Sequence, residues 1–305
     1  MAFLALALNF FLLRLAPASP FAALERDDLG AAFTTEQRAR LEAHYGLDQP
    51  PLAQFLAYLG RLVRGNLGNS LYFNQPVAQV LTPYLANTAL LIGLGFPPAL
   101  LVGLLVALLS ASLHQSRLEG GLFALMVLLK SLPPYFLAMV LLLLFAVVWP
   151  LFPATATLLP GMGLGGNLRR LFLPTLAYAL WEVGTVYLVA RGALFSILGL
   201  PFVAYARAKG ISEARVYLRH VLRAALPPLL TRSTLILAGS LGGVFFVERV
   251  FAYPGLSTLA LTAVSRFDYP LLEGVFLVTL GAVLLLNFLA DLFIYLLDPR
   301  TRETA

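Results

Sequence analysis

The chain has 305 residues, of which 60% are hydrophobic and only 12% are charged. A soluble domain carries about 25% charged residues, so this composition excludes an ordinary soluble protein and indicates a chain embedded in lipid. The net charge of +6 therefore does not indicate nucleic-acid binding, because basic residues accumulate on the cytoplasmic side of membrane proteins. There is no cysteine, and the three histidines are far apart, so we expect neither a disulfide framework nor a metal site.

A membrane-spanning helix needs about 20 consecutive, mostly apolar residues. The segments that reach this length are Leu85–Leu113, Leu122–Trp149, Leu171–Leu198, Leu229–Val247 and Gly274–Leu297. Residues 1–15 form a further apolar segment, which would reach only about 20 Å as a helix. A signal peptide is the alternative there, but a basic start is missing and Arg14 lies at the far end. We predict an all-α membrane protein with about six transmembrane helices, the first of them short.

Polar and basic residues predict how the chain is divided and oriented. Residues 16–84 carry charges of both signs and are predicted to form an extracytoplasmic insert, and residues 85–298 a core of five helices. Within that core, the loop of residues 199–227 has one acid, Glu213, and the basic residues Arg207, Lys209, Arg215, Arg219 and Arg223. Because basic loops stay in the cytoplasm, we place this loop, the tail of residues 299–305 and both termini there.

The basic loop has a pattern typical of two helices joined by a turn. Phe202–Lys209 is a short helical stretch, and Gly210 can adopt the positive φ that ends it. Ser212 can cap a second, amphipathic helix, and Pro227 marks the start of the fifth spanning helix. This pattern suits a surface that docks a partner, but it is equally typical of an interfacial helix that only anchors the chain. The residues alone leave both interpretations open.

The sequence lacks the motifs of the common enzyme classes. It has no Gly-x-x-x-x-Gly-Lys-Ser/Thr phosphate loop, no His-Glu-x-x-His and no Gly-x-Ser-x-Gly. We therefore expect no catalytic residues and no cofactor. Transport is the function that a chain of several spanning helices with few intramembrane charges favours.

Several motifs follow one another in a fixed order. The basic loop contains Ala206-Arg-Ala-Lys-Gly210-Ile-Ser-Glu213 and, further on, Leu226-Pro227. The motifs before it are Leu13-Arg-Leu-Ala-Pro17, Tyr45-Gly-Leu-Asp-Gln-Pro50 and Gly65-Asn-Leu-Gly-Asn-Ser70. Those after it are Val247-Glu-Arg-Val-Phe-Ala-Tyr-Pro-Gly-Leu256, Asp268-Tyr-Pro270 and Asp298-Pro-Arg300. The ordered set resembles that of binding-protein-dependent ABC importer permeases, most closely those of the dipeptide and oligopeptide branch.

The resemblance implies an ABC type I importer permease in a bacterial or archaeal plasma membrane. Such a chain forms half of a pore with a second permease subunit, most often a different one, and works with two ATP-binding subunits and an extracytoplasmic substrate-binding protein. Its cargo would be peptides or similar small solutes. The residues that would contact the ATPase through the coupling loop are Ala206, Arg207, Ala208, Lys209, Gly210 and Glu213.

Lys130 and Glu182 are ionisable residues inside apolar runs of the predicted spans, where neutral residues are expected. Lys130 and Glu182 could line the pore or pair with each other, since such groups usually face a cavity or a partner. Alternatively, Lys130 extends its ammonium group to the headgroups, and Glu182 bonds a neighbouring helix. A self-sufficient ion-coupled transporter is the alternative function, but it would favour an inverted repeat, and no clear internal repeat is visible. A membrane scaffold that transports nothing is the third class.

Overall fold

The computed structural model describes residues 2–14, 36, 49–157 and 164–297. These residues are almost entirely helical, and the only strand-like pairing among them is an isolated bridge between Asn69 and Pro76. The all-α prediction is thus confirmed. Two compact units emerge from the contacts, one of Met1–Thr88 with Pro254–Gly281 and the other of Ala89–Tyr253 with Ala282–Ala305.

The first unit contains two short helices, α1 (Ala2–Arg14) and α2 (Pro51–Val63). They pack through aromatic rings: the centroid of Phe10 lies 5.2 Å from that of Phe55 and 5.3 Å from that of Tyr58. With 13 residues, α1 is too short to be counted as a span by length. The predicted short first transmembrane helix therefore stays a prediction. Of the predicted insert, residues 16–35 and 37–48 lie outside the described part of the chain.

The first unit also contains the beginnings of two long helices, α3 (Val77–Ser112) and α10 (Tyr269–Leu297), and the short apolar helix α9 (Leu256–Ser265). Their buried aliphatic side chains form one cluster. At Gly274 a Cβ atom would lie 2.5 Å from Val77 Cγ1. This glycine therefore allows α10 to approach the start of α3 more closely than any other residue would.

The second unit is organised around α6 (Leu164–Leu198). This helix packs against α4 (Arg117–Ser131), α5 (Pro134–Leu142) and α8 (Leu222–Val250). Glycines lie at its crossings, as small residues commonly do between membrane helices. A Cβ at Gly103 of α3 would lie 2.8 Å from Val186 Cβ, and one at Gly184 would lie 3.0 Å from Lys130 Cβ.

Membrane-spanning candidates among the described residues number four helices, or up to five if one bent pair counts as a span. The four are Val77–Ser112, Gly165–Leu198, Glu213–Val250 and Tyr269–Leu289, and the bent pair is Arg117–Ser131 with Pro134–Val148. The predicted count of about six is not reached within the described part. Each of these helices, and the bent pair, overlaps one of the apolar segments predicted from the sequence.

The predicted span over Leu122–Trp149 is a broken helix in the structure. The chain breaks after Ser131, and the two halves, α4 and α5 with its π-helical continuation Leu143–Val148, meet at 95°. Pro133 and Pro134 are the cause. A proline lacks an N–H donor and disfavours the α conformation in the residue before it, and Leu132 accordingly has an extended ψ of 130°.

The prediction that Pro227 marks the start of the fifth span is wrong. The helix begins at Glu213, passes through a π-helical segment, Val216–Val221, and continues through both prolines to Val250. Membrane helices tolerate proline because local adjustments satisfy the freed backbone groups. Ser212 occupies the N-cap position as predicted, but its side chain makes no capping hydrogen bond.

Candidate functional site

The basic loop forms the predicted turn around Gly210. Helix α7 (Pro201–Ala208) ends in a Schellman arrangement, in which Gly210 N donates to Arg207 O at 2.9 Å and Ile211 N donates to Ala206 O at 3.4 Å. Gly210 has φ = +74°, in the region where a Cβ atom is unfavourable. The glycine is therefore required by the backbone conformation, as the sequence predicts.

A paired charge closes the same turn. Arg207 Nε donates to Glu213 Oε1 at 2.9 Å, and a second guanidinium nitrogen of Arg207 donates to Glu213 Oε2 at 3.2 Å. The hydrogen bond to Glu213 raises the pKa of Arg207, so the guanidinium stays charged. Because the side chains are 41% and 58% exposed, the pair contributes at most about 1 kcal/mol. Its bidentate geometry nevertheless fixes the direction in which both side chains point.

The predicted coupling residues differ in exposure. Arg207, Ala208, Lys209, Gly210 and Glu213 are exposed, whereas Ala206 is only 5% exposed and packs into the core of the second unit. Ala206 thus supports the turn from the core side and offers a partner very little surface.

Two exposed aromatic residues of α7 were missed by the sequence reasoning. Phe202 is 41% exposed and Tyr205 is 63% exposed, and the ammonium group of Lys209 lies 4.5 Å from the centroid of the Tyr205 ring. Their spacing of three residues was the available signal, since it places both on one face of a helix. The turn therefore presents an apolar and basic surface together.

A groove of about 630 Å³ lies beside the loop. Leu108, Leu109 and Ser112, at the end of α3, line one part of it, and Arg207, Glu213 and Tyr217 are among the residues lining the rest. The end of α3 and part of the loop therefore both border this open space.

The predicted intramembrane pair is brought into one region, but not into direct contact. Within the described residues, no ion pair joins Lys130 to Glu182. The ammonium group of Lys130 instead lies 3.9 Å from the centroid of the Trp181 ring, at the end of α4. Glu182 is 1% exposed, and its Oε2 atom has no hydrogen-bond partner. The two groups interact electrostatically without a direct bond.

A further polar site lies in the first unit, where Asp268 is fully buried. Its carboxylate accepts from Ser70 Oγ at 2.5 Å, from Tyr72 N at 3.0 Å and from Leu271 N at 3.1 Å. The last bond makes Asp268 the N-cap of α10, with Pro270 in the first turn. An Asp before a proline and an apolar run is a known helix start signal. The bond to Ser70, 198 residues away, has no such local signal.

Comparisons with known proteins agree with this architecture. Residues 99–303 match the family model described as binding-protein-dependent transport system inner membrane component. A putative peptide permease protein of Brucella suis biovar 1 (strain 1330) is 33% identical over 97% of this chain and 93% of its own length. The oligopeptide transport system permease protein OppB of Haemophilus influenzae is 30% identical over 98% of this chain and 94% of its own length.

A solved structure of the MetNI methionine ABC transporter in an inward-facing conformation shares the fold, with a TM-score of 0.61. The match covers 72% of this chain and 97% of that one, at 16% identity. The family model covers about two thirds of the chain, and the full-length relatives extend the similarity to nearly all of it. This chain therefore belongs to the binding-protein-dependent transport system inner membrane component family and is a membrane permease subunit of an ABC importer.

Proposed function

We propose that this permease imports peptides, and that the turn at Gly210 couples it to the ATPase. Peptides are proposed as the cargo because the chain is similar, over 97% or more of its length, to proteins named as peptide or oligopeptide permeases. The observation that supports the coupling role is the exposed, geometrically fixed turn with its Arg207–Glu213 pair.

The proposed complex contains a second permease subunit, two ATP-binding subunits and an extracytoplasmic substrate-binding protein. ATP binding closes the ATPase subunits, and the coupling loop passes that movement to the spanning helices. Arg207, Ala208, Lys209, Gly210 and Glu213 are the proposed contact residues, with Phe202 and Tyr205 adding exposed apolar surface. Ala206 holds the turn in place.

We propose further that the loop of residues 199–227 and both termini lie in the cytoplasm, as basic loops do. The pore-lining role of Lys130 and Glu182 stays a prediction. Lys130 is supported better, because it lies half-buried beside the break between α4 and α5, and broken helices commonly line transport paths. Glu182 would need a change of conformation to reach a pore, since almost none of its surface is exposed.

The coupling role is tested by Gly210→Val in the complex purified from native membranes and reconstituted with its binding protein. A Cβ at Gly210 would meet no atom within 4 Å, so the variant changes only the backbone preference. We expect peptide uptake to fall severalfold while the permease still inserts and binds its partners. Gly210→Asn, which tolerates positive φ better, should retain more uptake.

Gly65→Val is the matched control. Gly65 has φ = +71° and also leaves open space for a Cβ, but it lies outside the loop. Unchanged coupling in Gly65→Val and lost coupling in Gly210→Val would support the proposal. Equal uptake by wild type and Gly210→Val would contradict it.

The cargo is tested in the same proteoliposomes with labelled dipeptides and oligopeptides, supplied with the cognate binding protein and ATP. ATP-dependent accumulation that unlabelled peptide competes away would support a peptide importer. Uptake of another solute, without competition by peptides, would contradict the proposal that peptides are the cargo. It would still agree with an importer function.

A further inference from the structure

We propose that Tyr217 is a positioning residue that ties the coupling turn to the end of α3. The inference rests on the proposed coupling role of the loop and names the residue through which the turn holds the spanning helices. Tyr217 lies in the π-helical segment Val216–Val221, and π-helical turns occur frequently at functional sites.

The hydroxyl group of Tyr217 joins two parts of the second unit. It donates to Ala111 O, near the end of α3, at 3.0 Å. It also accepts from a guanidinium nitrogen of Arg207, at 3.5 Å. Arg207 itself is hydrogen-bonded to Glu213. The ring is partly buried against the apolar core that contains Ala111 and Ala206. One phenol group therefore connects the charged pair of the turn to the backbone of a spanning helix.

A buried polar cluster also holds the end of α3 in place. Ser110 precedes Ala111, is fully buried, and donates to Glu119 Oε1 at 3.1 Å while it accepts from Tyr187 OH at 2.9 Å. Arg191 donates to the same carboxylate oxygen at 2.8 Å. This cluster joins α3, α4 and α6. A displacement that reaches Ala111 is therefore passed to three helices.

The groove beside the loop makes the Tyr217 bond important. The groove of about 630 Å³ on that side is lined by Leu108 and Leu109 of α3 and by Arg207 and Glu213 of the turn, so part of the turn borders open space. The turn could shift into the groove when an ATPase pulls on it, without moving α3. The bond from Tyr217 to Ala111 opposes that shift, because it spans from the loop to the helix end.

Tyr217→Phe is the test, in the complete complex reconstituted with its binding protein. The variant keeps the ring and removes both bonds of the hydroxyl group. We expect the number of ATP molecules consumed per substrate imported to rise about threefold to tenfold, since one hydrogen bond shifts an equilibrium by about this factor. The melting temperature and the recovery of partner subunits should stay near wild type. A purely structural role would move stability and not the ATP-to-substrate ratio.

Tyr72→Phe serves as the control, because Tyr72 lies outside the loop, is 42% exposed, and holds Asp268 through its backbone nitrogen, which the replacement leaves in place. Its ratio should equal that of wild type. A wild-type ratio in Tyr217→Phe together with uncoupling in Gly210→Val would overturn this inference and leave the coupling loop in place. Unchanged ratios in both would instead remove the proposed coupling role. A Tyr217→Phe complex that loses its partners would also overturn the inference, by making Tyr217 structural.

Discussion

Lys130 and Glu182 place two opposite charges inside the helical core of the second unit without a direct bond between them. Glu182 is almost fully buried, and one of its carboxylate oxygens has no hydrogen-bond partner. The ammonium group of Lys130 lies against the Trp181 ring. Each charge is costly in such surroundings, and each is offset in part by the other. The stability of either charge therefore depends on the presence of its partner.

A double-mutant cycle tests this dependence. Lys130→Met should lower the unfolding free energy, because it leaves the Glu182 carboxylate without its nearby cation. In the Glu182→Gln background the same replacement should cost less, with a coupling energy of about 0.5–3 kcal/mol. Thermal unfolding of the four purified proteins in one detergent provides the measurement. Additive effects of the two replacements would show that the charges do not interact.

Asp268 combines a helix cap with a long-range anchor. Its carboxylate holds Ser70, Tyr72 and Leu271 at once. We expect Asp268→Ala to destabilise the permease by about 2–4 kcal/mol, because a cap and charge-assisted hydrogen bonds are lost together. Asp268→Asn should fall between Ala and wild type, since Asn is also a good N-cap. Thermal unfolding checks the order, and a wild-type melting temperature for Asp268→Ala would contradict it.

At the scale of the helices, the close crossing of α3 and α6 depends on a missing side chain. A Cβ at Gly103 would lie 2.8 Å from two Val186 carbons and 3.1 Å from Val183 O. Neither the branched side chain nor the backbone can move away cheaply, so Gly103→Ala should cost about 1–3 kcal/mol.

Gly93, on the same helix, provides the matched control for that prediction. A Cβ there would meet nothing within 4 Å, so Gly93→Ala should be neutral or slightly stabilising, because alanine favours helix. Detergent melting curves of both variants make the comparison. If Gly103→Ala melts together with Gly93→Ala, the helices do not pack as closely as the structure indicates.

Much of the helical organisation could be predicted from the sequence, because apolar runs of spanning length and Gly210 act through local physical rules. The break at Leu132 could also have been predicted, because Pro133 and Pro134 follow it directly in the sequence. Hydropathy alone does not show it, because the apolar run continues across both prolines. The start of α8 was predicted too late, at Leu229, because Pro227 was interpreted as a helix boundary. Helix α3 begins at Val77, before the apolar run that was predicted from Leu85.

The polar clusters could not be predicted in the same way. Periodicity indicates which face of a helix is buried, but not which distant residue meets it. The bond between Ser70 and Asp268 and the contact of Tyr217 with Ala111 join residues 198 and 106 positions apart. Such pairs become visible only when the helices are assembled.

At the scale of the whole molecule, the proposed orientation is testable because the chain has no cysteine, so a single introduced thiol is unique. Val63 is 90% exposed in the predicted extracytoplasmic insert, and Lys209 is exposed on the coupling loop. A membrane-impermeant thiol reagent is added to intact cells, whose outer membrane, where there is one, has been permeabilised. This reagent should label Val63→Cys. It should label Lys209→Cys only after the inner membrane is opened. The reverse pattern would invert the proposed topology.

The central claim is that this permease works through an ATPase docked on the loop around Gly210. The most direct measurement attaches a photo-crosslinker to Lys209→Cys in the membrane-embedded complex and identifies the joined protein by mass spectrometry. We predict a crosslink to an ATP-binding subunit, and none from the same probe on Val63→Cys. An active complex in which the Lys209 probe reaches no ATP-binding subunit, or transport by this chain purified alone, would contradict the account.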